Sequence, residues 1–228
     1  MLEKLKNIEK LPIFPLPVVL LPGMLMPLHI FEPRYRQMLH DCLQGGRLFG
    51  LTHHPESAVG TLVVPVVGSI GCAAHIMSVV PLPDERSNIL AAGLCRYKTL
   101  EYTEQDPYLV ARLEFFEDEA LQTEIPPDLI QEVSDLFLRF LKAMRTLRDA
   151  PMARYALPAD PEQLSFAIAS AVLTEPEEQL EMLQMRSTEE RFEFLEQRLD
   201  SIIDNVESQA EEHTAMRSNG RRKKGLGN

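Results

Sequence analysis

From Leu11 through Phe31 the chain reads LPIFPLPVVLLPGMLMPLHIF, with no charged side chain, yet Pro12, Pro15, Pro17, Pro22 and Pro27 interrupt it and Pro33 follows. The length suits a membrane span; the prolines exclude one. Each removes a backbone donor and costs about 3 kcal/mol inside a helix, and in lipid the freed carbonyls would find no partner. A secretory leader also fits poorly. Lys4, Lys6 and Lys10 resemble a charged start, but the apolar part has no proline-free core and no A-x-A-like exit. What remains is a pair of short buried strands, with prolines at strand starts, edges and turns.

The pattern predicts a strand over 13–21, a turn at Pro22-Gly23 and a second strand over 24–30. Tyr35, Met38, Leu39, Cys42 and Leu43 recur at helical spacing and predict a helix ended by Gly45-Gly46. A strand over 47–52 follows, then a loop around His53–Gly60. The Val/Ile/Ala/Gly-rich run 62–77 reads as buried strand with glycine bends at Gly68 and Gly71. After the turn at Pro81–Asn88, segments 89–94 and 96–102 read as a hairpin or a bulged strand, and 108–116 as another strand. Short strands, one inserted helix and no βαβ rhythm predict a small closed or half-closed β-barrel.

Beyond Glu117 the period becomes helical. Leu129, Val133, Leu136, Phe137, Phe140, Met144 and Leu147 form an apolar stripe. Asp160-Pro161-Glu162-Gln163 is a helix start, Thr174–Met185 a short further helix, and Ser187-Thr188-Glu189-Glu190 a capping box opening the last one. Four helices with short connections predict a bundle. The fold class is therefore α+β: a barrel subdomain over 1–116, a helical bundle over 117–213, and a disordered basic tail over 214–228.

Charge divides at the same place. Residues 1–116 hold ten Lys/Arg against eleven Asp/Glu, net −1; residues 117–228 hold thirteen against twenty-three, net −10. An acidic second half argues against a nucleic-acid partner, which needs clustered cations. The one basic cluster, Arg221-Arg222-Lys223-Lys224, reads as a solvating tail. Cys42, Cys72 and Cys95 are odd in number and far apart, which excludes a disulfide framework or zinc site and suits a reducing, cytoplasmic setting.

Catalytic motifs are absent. Gly220 and Gly225 have P-loop separation, but Leu226 stands where lysine is needed, and neither G-x-G-x-x-G nor G-x-S-x-G occurs. His53-His54 sits in a polar loop, His29 with Glu32 has too few companions to bind metal, and His75 lies in an apolar run. The carboxylate pairs Glu177-Glu178 and Glu211-Glu212 read as solvated helix faces. The residues point to no active site, no metal and no cofactor.

In order along the chain, several stretches resemble one family. LPIFPLPVVLLPGMLMPLHIFEPRYRQML is similar to an apolar strand, a "P-g" turn, a "PLxIFE" strand and a helix carrying "RY". Val67–Ile76, VGSIGCAAHI, is similar to a "vGtiaxI" strand, and Asn88–Tyr102, NILAAGLCRYKTLEY, to a "GxxRf" strand. DPYLVARLEFFEDE (Asp106–Glu119) and STEERFEFLEQRL (Ser187–Leu199) continue the likeness. The family is the N-terminal substrate-binding domain of Lon-type ATP-dependent proteases, and in particular bacterial stand-alone proteins made of that domain only. The resemblance covers about Leu11 to Val206 and implies a PUA-like barrel followed by helices. In full-length Lon proteases this domain helps recognise unfolded or tagged substrates and contributes to assembly. No ATPase segment and no protease domain with a Ser–Lys dyad accompanies it here, so those activities do not carry over.

The leading expectation is a non-catalytic module that binds exposed apolar peptide segments or a partner protein, with Met residues able to adapt to varied partners. Candidate contact residues are Phe31, Tyr35, Pro81, Pro83 and Arg86. Two alternatives stay open. One is RNA binding, as in other PUA-like barrels. The other is a small-molecule binder or unrecognised enzyme in the manner of cereblon, whose zinc domain has no counterpart in these cysteines. The sequence names no partner and leaves homo-oligomerisation open.

Overall fold

The computed structural model describes residues 5, 8–55, 62–119, 124–151 and 156–224, with side chains through Arg217. Its strands and helices run β1 (Lys10–Leu16), β2 (Leu25–Ile30), α1 (Pro33–Gln44), β3 (Leu48–His53), β4 (Ile70–Pro81), β5 (Ser87–Glu104), β6 (Leu109–Phe116), α2 (Pro127–Leu147), α3 (Pro161–Val172), α4 (Pro176–Gln184) and α5 (Thr188–Lys224). The result is one six-stranded mixed sheet with five helices, in the order β2-β5-β4-β3-β1-β6, with β5 also pairing β6. Only β1 and β3 run parallel; the other pairs are antiparallel.

The prolines fit this sheet for local reasons. β1 is registered against β6 over residues 10–13 and against β3 over 13–16. Pro12 and Pro15 thus each lie where one neighbour is registered, and a missing N–H need not break a ladder. Residues 17–21 and Met24, expected as strand, instead form a connection in which Val19, Leu20 and Leu21 are nearly inaccessible. It closes with a turn in which Met24 N donates to Leu21 O at 3.1 Å, with Pro22 second and Gly23 third at φ +78°. A type II turn asks for that pairing.

Of the two readings offered for 89–102, strand β5 takes the bulged strand and not the hairpin. It is continuous for 18 residues and bends through register shifts against β4 and β6 rather than turning back. Its inward side carries Tyr97, whose hydroxyl lies 2.7 Å from Thr52 Oγ1 in the core. Gly50 and Gly71 make room for that ring: a Cβ at either position would sit 2.5–2.6 Å from the Tyr97 hydroxyl. Gly68, at φ +93°, is a turn, but Gly71 is extended strand, so its lack of a side chain serves packing and not bending. Leu11, Ile13, Ala73, Leu109, Ala111 and Leu113 surround Tyr97 in the sheet's core cluster. Residues 62–69, expected as strand, precede β4 outside regular structure.

The chain divides into two compact units, Met1–Glu119 with Ala169–Arg186, and Ala120–Ile168 with Ser187–Asn228. The four-helix bundle expected after Phe116 is therefore revised, because α4 belongs with the sheet. The cause is Arg96 on β5, 1% exposed, which donates through its guanidinium to the carbonyls of Leu183 and Met185 and to the Asp118 carboxylate, while resting 4.9 Å from the Phe116 ring. In the second unit α2 packs along α5, and Arg139 meets Glu207 in a two-point pair of 3.0 and 2.7 Å. Arg191, fully buried on α5, donates to Ser165 Oγ at 2.9 Å and Thr188 Oγ1 at 2.8 Å and lies over Phe166. Both predicted caps form: Gln163 N donates to Asp160 Oδ1 and Glu190 N to Ser187 Oγ. Helix α5 runs on to Lys224, so residues 214–224, expected as a disordered tail, continue the helix; 225–228 lie outside the described residues. Among the described residues no helix is long and apolar enough to cross a membrane.

Candidate functional site

One face of the first unit carries a group of apolar side chains exposed or half-buried among the described residues. On β2 the even-numbered Met26 and Ile30 point inward and are buried, while Leu25, Pro27 and His29 point outward and are exposed. Residues across an antiparallel pair share a face. Leu25 is registered with Ala92 and His75, Pro27 with Leu90 and Ser78, and His29 with Asn88 and Val80. The outer surface of β2, β5 and β4 is thus floored by Leu25, Pro27, Leu90 and Val80, three side chains wide. Leu25 is 57% exposed, Val80 56%, and Met77, at the register shift after Ile76, 55%. Exposed Leu or Val taken singly means little; several on one sheet face form the kind of patch that can serve as an interaction surface.

The rim of this strip is polar. His29 Nδ1 lies 2.7 Å from Asn88 Oδ1, and its ring stacks on Phe31 at 5.5 Å and 21°. With Asn88 Oδ1 as the acceptor, His29 Nδ1 is the donor of that bond. His75 Nδ1 lies 3.4 Å from Met77 Sδ on the far side. At one end the turn 82–86 closes with Leu82 N donating to Arg86 O. Asp84 and Glu85 both adopt left-handed backbone there, at φ 63° and 60°. Arg36 of α1 holds that turn, donating to Asp84 O at 3.0 Å and pairing with Glu85 at 2.9 Å.

Four of the five candidate residues fall at this end of the strip. Phe31 closes β2 and is 40% exposed, Pro81 ends β4, and Pro83 and Arg86 lie exposed in the turn, where Arg86 Nε donates to Pro83 O. Tyr35 does not join them. It is 6% exposed, with its ring 4.2 Å from Phe14, and burial raises its phenol above the ordinary range. Its place on the inward side of α1 makes it core.

The sequence reading missed Leu25, Met77, Val80 and Leu90, the larger part of the strip. No alternation marks them, since LMPLHIF and IMSVV are apolar on both sides of their strands. Among the described residues no group of three or more His, Cys, Asp or Glu could hold a metal. The strip offers burial, an aromatic edge and a few hydrogen-bonding groups.

The comparisons with known proteins agree with this architecture. The family model described as the ATP-dependent protease La (LON) substrate-binding domain matches residues 10–201. The Lon protease of Syntrophus aciditrophicus is 28% identical over 188 residues, 80% of this chain and 24% of that protein. The Lon protease of Escherichia coli K12 is 23% identical over 203 residues, 89% of this chain and 26% of that one. The chain thus spans about a quarter of the length of these relatives. A Lon N-terminal domain protein from Xanthomonas campestris has a similar solved structure, at TM-score 0.61 and 23% identity, covering 82% of this chain and 97% of that one. The N-terminal domain of the Mycobacterium avium complex Lon protease follows at TM-score 0.56 and 16% identity, covering 84% and 98%. With the model matched over most of its length, this chain belongs to the Lon substrate-binding domain family.

Proposed function

We propose that this protein is a non-catalytic binding module that takes up apolar segments of other polypeptides on the outward face of β2, β5 and β4. The observation that carries the proposal is the strip formed by the exposed Leu25, Pro27, Met77 and Val80 around the half-buried Leu90, on a chain of the Lon substrate-binding family. Burying such side chains is worth about 25 cal/mol per Å² of apolar surface and needs no particular partner sequence. That suits recognition of unfolded chains, whose common property is exposed hydrophobic side chains. Phe31 and the Pro81–Arg86 turn border one end and would select what projects beyond the strip.

The pairing circuit β5–β4–β3–β1–β6 and back to β5 supports reading the sheet as a closed PUA-like barrel, with β2 extending it by pairing to residues 87–92 of β5, ahead of the stretch that pairs with β6. The matched region is a substrate-binding domain alone, which supports binding without ATP hydrolysis or peptide cleavage. A peptide array tests the proposal: apolar sequences should retain the protein and polar sequences of equal charge should not. Retention that follows charge alone would refute it.

A further inference from the structure

Granted that reading, the backbone of β2 determines how an apolar segment is held. The end strand of a sheet offers free N–H and C=O groups, and a second chain commonly adds there as another strand. Among the described residues β2 is the end strand of the sheet. Gly93 N donates to Met24 O at 2.9 Å, and Leu25 is registered with Ala92. In an antiparallel ladder bonded and non-bonded pairs alternate. Even-numbered residues of β2 therefore turn their backbone groups toward β5, and the odd-numbered Leu25, Pro27 and His29 turn theirs outward. Pro27, in the centre, has no N–H to give.

An incoming antiparallel strand would need bonds at each of those three positions. At the middle one it meets a pyrrolidine ring, and the donors that remain, on Leu25 and His29, stand about 13 Å apart along the strand. With β2 only six residues long, a ladder has nowhere else to start. The same ring lies on the outward face beside Leu90, where it adds to the apolar floor. We propose that Pro27 closes the β2 edge to strand addition, so that polypeptide is bound by burial of its side chains on the outward face, without a backbone ladder. Recognition of this kind reads apolar surface and ignores the backbone N–H groups of the bound segment. It also keeps two copies of the protein from joining sheets edge to edge.

The test compares a short labelled peptide rich in Leu, Val and Phe with its analogue N-methylated at alternate residues, titrated against the full chain by fluorescence anisotropy. The native protein should bind both within about twofold, whereas loss of two ladder bonds would weaken binding about thirtyfold. Pro27→Val restores the N–H and keeps an apolar side chain. It should become sensitive to methylation and should self-associate in sedimentation velocity at concentrations where the native protein does not. A tenfold or greater loss on methylation with the native protein overturns this inference alone, and that arm stands even if the variant does not fold. So does a folded Pro27→Val that gains neither property. If neither peptide binds the native protein, the binding reading fails and this inference fails with it.

Discussion

Arg96 shows how much of this fold hangs on single side chains. Its guanidinium, 1% exposed, satisfies the carbonyls of Leu183 and Met185 and the Asp118 carboxylate, which is itself 13% exposed. Removing one partner of a buried ion pair strands the other charge, at about 3–5 kcal/mol. Arg96→Met is therefore predicted to lower stability by about that amount in urea unfolding, and Arg96→Lys to recover little, because an ammonium cannot reproduce the planar fork. The cysteines behave in the opposite sense, since they are inert. All three are buried, and burial, with Asp41 adding to it, pushes the Cys42 thiol up to about 12. The thiolate is the reactive form. Ellman's reagent should label none of the three in the native protein and all three once it is unfolded.

The elements were unevenly legible in the sequence, for reasons that can be named. Helix α1 declared itself because Tyr35, Met38, Leu39 and Cys42 keep helical spacing, and all four are buried. The turn before β2 was readable from Pro22-Gly23 alone. Gly23→Ala should cost about 1 kcal/mol, because φ +78° disfavours any Cβ although nothing lies within 4 Å of one. At Gly93 the conflict is spatial: a Cβ would lie 2.2 Å from Leu21 O, so Gly93→Ala should cost several times more, read as a shift in the urea midpoint at unchanged slope. Strand β5 was legible only as one of two alternatives, since Ile89, Ala91, Gly93, Cys95, Tyr97 and Thr99 keep inward alternation while the register shift opposite Ala73 and Ala74 leaves no mark that separates a bulge from a turn. The attachment of α4 was invisible, since what secures it to Arg96 are backbone carbonyls 87 and 89 residues away, which carry no sequence mark.

Across the whole molecule, the acidic balance and the buried phenols and thiols set the response to pH. Burial raises Cys42 from 9.0 to about 12 and Tyr102 from 10.0 to about 12. The folded protein holds these protons after the unfolded chain has released them. Their contribution to stability is complete below about pH 9 and is lost as pH climbs toward 12. The urea midpoint should accordingly fall between pH 9 and 10.5 at constant ionic strength. The family and the succession of strands then helices were written in the proline-punctuated start and the capping boxes. The binding strip was not, because inward and outward residues of β2 and β4 are equally apolar and only the register separates them. That strip is the centre of the account, and one titration addresses it directly: a permanently unfolded, carboxymethylated protein against the native chain and against Leu90→Asp and Met77→Asp. A charge placed on an apolar contact surface should weaken binding at least tenfold in each variant while the melting temperature stays within a few degrees. Unchanged affinity in both folded variants would contradict the assignment of this face.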